Sequence, residues 1–258
     1  MKTLAIVNRR GGVGKTVTAH ALGAGLKRRG YRVLFVDLDS QGNLSFDAGA
    51  EGARLNAFDV LEDPTKAADA VVGDTIPGSA ELSAADVLIT ATGKEYRLKE
   101  ALQQLAGKYD YCVIDTPPAL GILTTNALTA ADGVIIPAQA EIHSLQGIGL
   151  LHETISTVKK YCNAALKVYG IVLTRHNART NISRSMREGL EEAAARFGTK
   201  VYNTPIRQCA AIQEAQAMQQ DIFEYAPRSN AAKDYDALLD ELLQDIGGEG
   251  HDEAKAGL

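Results

Sequence analysis

The chain has 258 residues, of which 45% are hydrophobic and 23% charged, a balance that excludes disorder for most of its length and suits one α/β domain with a full core. Its net charge of −5 gives no global attraction to nucleic acid, so any such binding must come from a local patch. The opening apolar run, Leu4 to Val7, gives way to Arg9 and Arg10, too short for a signal-peptide core or a membrane span, and the expected location is the cytoplasm.

Taken in order, short β-branched apolar runs alternate with longer helical patterns, the signature of βαβ units and a doubly wound, mostly parallel sheet with helices on both faces. Thr3 to Asn8 reads as the first strand, followed by a glycine-rich turn and a helix to about Arg29 that Gly30 closes. Arg32 to Val36 reads as a second strand, apolar on both faces, delivering Asp37 and Asp39 to its carboxyl end. Between Asp47 and Ala91 the pattern weakens: Pro64, Pro77 and several glycines separate a short helix near Leu55 to Leu61 from a strand near Val71 to Ile76. A helix from Tyr96 to Leu105 follows, then a strand from Tyr111 to Ile114 that stops at Asp115-Thr116-Pro117-Pro118.

Further strands are expected at Gly133 to Pro137, Lys167 to Thr174 and Lys200 to Tyr202. Helices are expected near Ser144 to Tyr161, Asn181 to Phe197, Ala210 to Gln219 and Asn230 to Ile246. One domain is therefore expected over residues 1–246, with 247–258, polar and glycine-rich, as a frayed tail. Cys112, Cys162 and Cys209 stand apart in no CxxC arrangement, and the five histidines lack metal-ligand spacing, so structural roles are expected for both sets.

The chemistry gathers at Asn8 to Thr16, NRRGGVGKT, between a strand and a helix. Backbone N–H groups of such a turn and the positive helix terminus hold phosphate oxygens together. Gly11, Gly12 and Gly14 remove the Cβ atoms that would block the approach. Lys15 supplies a point charge for the β- and γ-phosphates, and the Thr16 hydroxyl is placed to ligate Mg²⁺. Arg10, Val13 and Val17 complete the expected ATP-binding stretch. A bare glycine turn is the bland alternative, as a simple strand-end turn is for the Asp37–Asp39 pair. The general pattern GxxxxGK[ST] fails here, since Arg10 stands four residues before Gly14.

RGGVGKT instead resembles the KGGVGKT loop of the ParA/MinD superfamily of deviant Walker A ATPases, in which a second, signature lysine precedes the paired glycines. The resemblance extends along the chain, in Soj-like partition ATPases above all, through VLFVDLDSQGNLS (33–45), DYCVIDTPPALGILTTNAL (110–128), GVIIPAQAE (133–141), GIVLTRHNARTNIS (170–183), IQEAQA (212–217) and FEYAPRSNAAKDYDALLDELL (223–243). It implies that Asp39 orients the attacking water and supports the metal, and that Asp115 is the Walker B carboxylate holding Mg²⁺ through water. Asp37 is then expected to support the metal shell or its loop. Arg10 occupies the signature position, from which the family's lysine reaches a partner's ATP; the longer planar fork keeps the charge but demands different geometry. It could act as an arginine finger or slow hydrolysis.

From Lys159 to Arg207 ten basic residues face three acidic ones. Arg175, Arg179, Arg184, Arg187 and Arg207 are the candidate phosphate contacts, and such contacts carry no sequence information. A solvated helix face is the alternative on charge alone. The resemblance implies an ATP-dependent homodimer binding DNA non-specifically, associated with the nucleoid and released when a ParB-like partner stimulates hydrolysis. Three competing readings are a MinD-like membrane switch, a nitrogenase-iron-protein-like reductase and a nucleotide-dependent regulator with little turnover. The first lacks a basic amphipathic C-terminal helix, the second matched cysteines; Arg10 keeps the third open.

Overall fold

In the computed structural model, which describes residues 1–176 and 181–256, the backbone forms a six-stranded parallel sheet. Its strands are β1 (Lys2–Ile6), β2 (Val33–Asp37), β3 (Thr75–Ile76), β4 (Tyr111–Asp115), β5 (Gly133–Gln139) and β6 (Lys167–Thr174), in the spatial order β3-β2-β4-β1-β5-β6. Period-two alternation splits each strand between two cores. Leu4 and Ile6 of β1 enter one, with Val33 and Phe35 of β2 and Val113 of β4. Ala5, with Leu34, Val36, Cys112 and Ile114, enters the other. Both faces are thus dry, which is why β2 and β4 are buried at every position.

The first core is closed by α1 (Lys15–Arg28), α2 (Asn43–Asp47), α9 (Ala210–Ala217), α10 (Ile222–Tyr225) and α11 (Asn230–Ala256). The second is closed by α3 (Ala57–Glu62), α4 (Ala85–Leu88), α5 (Arg97–Gln104), α6 (Ile122–Ala130), α7 (Ile142–Tyr161) and α8 (Asn181–Arg196). Helices therefore lie on both faces, as expected. Helix α1 runs very close to the sheet: a Cβ on Gly23 would stand 2.1 Å from the Phe35 ring.

Several element bounds differ from the sequence reading. The segment from Val71 contributes only Thr75 and Ile76 to the sheet, preceded by a turn in which Val72 bridges Thr75. Lys200 to Tyr202 forms a single bridge, Val201 to Ile171, because Pro205 follows and Glu241 takes the Asn203 and Thr204 N–H groups. Helix α6 is not among the elements expected from the sequence; its ILTTNALTA sequence is buried almost throughout and shows no amphipathic period. Helix α11 continues past Ile246 to Ala256 in spite of the costly Gly247, Gly248 and Gly250; Glu249, Glu253, Ala254 and Lys255 are good helix formers. Among the described residues no helix is long and apolar enough to cross a membrane.

Candidate functional site

The carboxyl ends of β1, β2 and β4 are neighbours, and in parallel register Asp115 lies opposite both Ile6 and Asp37. Open parallel sheets bind ligands at this end. The turn after β1 is held there by its own Asn8 and by polar side chains that end β5 and β6. Asn8 donates from Nδ2 to the Pro137 carbonyl at 2.6 Å and accepts the Arg10 N–H at 2.9 Å. Gln139 donates to the Gly12 carbonyl at 2.9 Å, and the Thr174 hydroxyl to the Val13 carbonyl at 2.7 Å. Sequence reasoning missed these three anchors. The available signal was a polar residue ending an apolar run.

Gly12 and Gly14 hold φ values of 76° and 87°, in the left-handed region that glycine enters without steric cost. Gly14 is the N-cap of α1 and carries no side chain to satisfy the first helical N–H groups, which leaves them to an anion. Lys15 is only 7% exposed and its Nζ donates to the Arg10 carbonyl at 3.2 Å, curling over the turn. Burial pushes its ammonium below the ordinary lysine value, against the pull of Asp115 and then Asp39. A buried cation aimed at an anion-binding turn suits phosphate.

The Thr16 hydroxyl donates to Asp115 Oδ2 at 2.6 Å. The other Asp115 oxygen, Oδ1, is buried and has no partner among the described residues. Burial first, and the neighbouring Asp37 next, hold the Asp115 carboxyl well above the usual carboxylate range. A divalent cation beside it would reverse that shift. Thr16, Asp115 and Asp39 therefore fit Mg²⁺, which takes few carboxylates and completes its shell with water and phosphate oxygen. Among the described residues no three or more His, Cys, Asp or Glu side chains are grouped so that they could hold a metal ion by themselves.

Asp37 is fully buried and organises the next loop. Its Oδ1 accepts the Asp39 N–H at 3.0 Å, and its Oδ2 accepts the Ser45 N–H and hydroxyl at 2.8 and 2.7 Å. This selects loop support as its role. Asp39, half-buried, keeps one oxygen on the Gln41 N–H at 3.0 Å and lines a cleft of about 690 Å³ with Gly11, Lys15 and Thr16. From the other side, Gly78 donates to the Ser45 hydroxyl at 2.8 Å, and a Cβ there would lie 2.7 Å from the Asp39 carbonyl.

A second cavity of about 260 Å³ adjoins the first. Both are lined by Gly14, Val17, Arg175 and Gln216, and the second adds Ile206 and Cys209. Sequence reasoning did not identify this half of the cleft, built by α9 and the residues before it. Arg10 pairs with Glu141 of its own chain, and its Nη1 is buried without a partner among the described residues.

The basic candidates do not form one free patch. Arg175, in the left-handed region at φ 49°, and Arg207 both line the smaller cavity. Arg207 is bound to Asp234 through its N–H, Nε and Nη2 at 2.6–3.2 Å, an acid only 7% exposed. Arg187 pairs with Glu191 at 2.9 Å along α8. Arg179 and the Arg184 side chain lie outside the described residues.

A parallel sheet whose strand ends carry an anion-binding glycine turn, a buried lysine and a threonine–aspartate pair defines a nucleotide-binding P-loop protein. The chain matches the model of the AAA domain family over residues 1–168. It is 40% identical over 250 residues to the sporulation initiation inhibitor protein Soj of Bacillus subtilis, covering 93% of this chain and 98% of that protein. It is 36% identical to the chromosome partitioning protein ParA of Caulobacter vibrioides, covering 94% of each. Among solved structures it is similar to a cobyrinic acid a,c-diamide synthase from Mycobacterium smegmatis with an ATP analogue and magnesium bound, with TM-score 0.81, 34% identity and 96% of each chain covered. The chain belongs to this AAA-domain family and, within it, to the Soj/ParA-type ATPases.

Proposed function

We propose that the chain is a DNA partition ATPase that hydrolyses ATP with Mg²⁺, and that its ATP-bound homodimer binds DNA without sequence preference until a ParB-like protein stimulates hydrolysis. The observation that carries the nucleotide assignment is the Thr16–Asp115 contact of 2.6 Å beneath the glycine turn, with the second Asp115 oxygen left buried and partnerless. The relatives' names support the partition reading.

The turn from Gly11 to Thr16 would bind the triphosphate through backbone N–H groups, with Lys15 neutralising charge. Mg²⁺, when bound through Thr16, Asp115 and Asp39, would neutralise charge developing on the phosphate oxygens. Asp39 would orient the attacking water, its loop kept in place by Asp37. Arg175, Arg179, Arg184 and Arg187 are the proposed DNA phosphate contacts; Arg207 already has Asp234. Arg10 would have to leave Glu141 to reach a partner's phosphates, and this favours a second reading, a nucleotide-dependent regulator with little turnover.

The test is DNA binding by the purified protein at low salt with ATP, ADP or no nucleotide, alongside size-exclusion chromatography. The partition reading expects dimerisation and sequence-independent binding with ATP alone, and turnover that rises with DNA and a centromere-binding partner. Dimerisation without DNA binding would sink the DNA assignment; negligible turnover with every component present would select the regulator.

A further inference from the structure

Helix α2 has only five residues, too few to be stable alone, so its position is set by what grips it. At its near end Asp37 holds Ser45, and through the same carboxylate the Asp39 N–H. At its far end α9 takes hold. Gln216 donates from Nε2 to Asp47 Oδ2 at 3.0 Å across 169 residues of chain, and Gln219, in the turn just past the end of α9, donates to the Phe46 carbonyl at 3.1 Å. Asp47 is 4% exposed, so this amide satisfies a buried acid rather than decorating a surface.

Gln216 also lines both halves of the cleft, while Ile212 and Gln213 of the same helix line the smaller cavity beside Gly14. A group filling that cavity presses on α9; α9 holds α2; and α2 is tied through Ser45 and Asp37 to Asp39. The first link is contact between the cavity wall and what fills it, and the other two are hydrogen bonds. We infer that the Gln216–Asp47 bond couples occupancy of the smaller cavity by the nucleotide's heterocyclic base to the setting of the Asp39 loop. Gln216 and Asp47 are then positioning residues for hydrolysis. This rests on the ATPase reading above.

The test uses the full chain with Mg²⁺ and ATP, comparing Gln216→Leu, Asp47→Ala, Asp47→Asn and the double variant Gln216→Leu/Asp47→Ala. Three quantities are read: kcat, ATP affinity by calorimetry, and hydrogen exchange of residues 39–47 with and without a non-hydrolysable ATP analogue. Gln216→Leu and Asp47→Ala are each expected to lower kcat by about fivefold or more while ATP affinity stays within about threefold. The analogue is expected to slow exchange over 39–47 in the wild type and not in these variants. Asp47→Asn keeps an acceptor for Gln216 and is expected to stay within about twofold of wild type, and the double variant to be no worse than either single.

Equal protection of 39–47 in wild type and Gln216→Leu overturns the coupling, as does a fall in melting temperature with kcat and exchange unchanged. If the wild type hydrolyses no ATP, the ATPase reading fails while the exchange comparison still decides the coupling: protection lost in Gln216→Leu supports it, protection retained overturns it.

Discussion

The strand ends around Gly11 to Thr16 and the basic segment from Lys159 to Arg207 are both conspicuous in the sequence, the first by spacing and the second by charge. In the structure they behave differently. Around the glycine turn, spacing translates directly into geometry: Lys15 curls over the loop, Thr16 meets Asp115, and Asp39 faces the same cleft. In the basic segment, Arg187 and Arg207 are engaged by acids that a charge count treats as separate. A backbone motif constrains where its side chains point, whereas a surplus of positive charge leaves open which cations are already spoken for.

The comparison is broken most directly at Lys15. Lys15→Ala is expected to weaken ATP binding by about a hundredfold or more, measured by calorimetry, because no other buried lysine or arginine serves the turn among the described residues. Asp39→Ala is expected to lower kcat by about a hundredfold while ATP binding survives, since on the proposed reading it removes the group that would orient the water and leaves the phosphate cradle intact. Equal losses in both quantities would assign Asp39 to binding.

Arg207→Ala sharpens the other half of the contrast. Removing the guanidinium strands a nearly buried Asp234, so the melting temperature should fall by a few degrees. The dependence of log DNA affinity on log salt should meanwhile keep its slope. A slope reduced by about one would mean that Arg207 meets a phosphate in spite of Asp234.

The smallest effect concerns Asp47, whose carboxyl burial raises from 3.8 to about 6, with Gln216 opposing and Asp37 assisting. The folded state then binds this proton more tightly than the unfolded state. Its contribution to stability is complete below about pH 3.8 and is lost as pH rises through about 6. Asp47→Asn should flatten that part of the stability–pH profile and be relatively more stable above pH 6, as followed by chemical denaturation. A profile unchanged by the substitution would show that Asp47 ionises as freely folded as unfolded.

Much of the fold was legible because strands buried on both faces read as continuous apolar runs, and β4 and β6 fall where those runs lie. Asp37, Asp39 and Asp115 were legible because each follows such a run. Helix α6 was not, since a helix buried almost all round carries no amphipathic signal. Nor were the anchors Asn8, Gln139 and Thr174, whose partners are backbone carbonyls brought near by strand order alone. The five-residue α2 escaped for a similar reason: its stability is tertiary.

By itself the sequence determined a parallel α/β sheet, the anion-binding turn after its first strand, and the acids at the ends of the second and fourth, because these depend on local periodicity and on glycine's freedom at φ above zero. Only the tertiary structure decided that Asp37 serves the loop, that Arg10 rests on Glu141, that Arg207 belongs to Asp234, and that α9 walls the cleft while gripping α2. Those outcomes depend on contacts between residues far apart in the chain, and burial, by removing water as a competing partner, makes such pairings decisive.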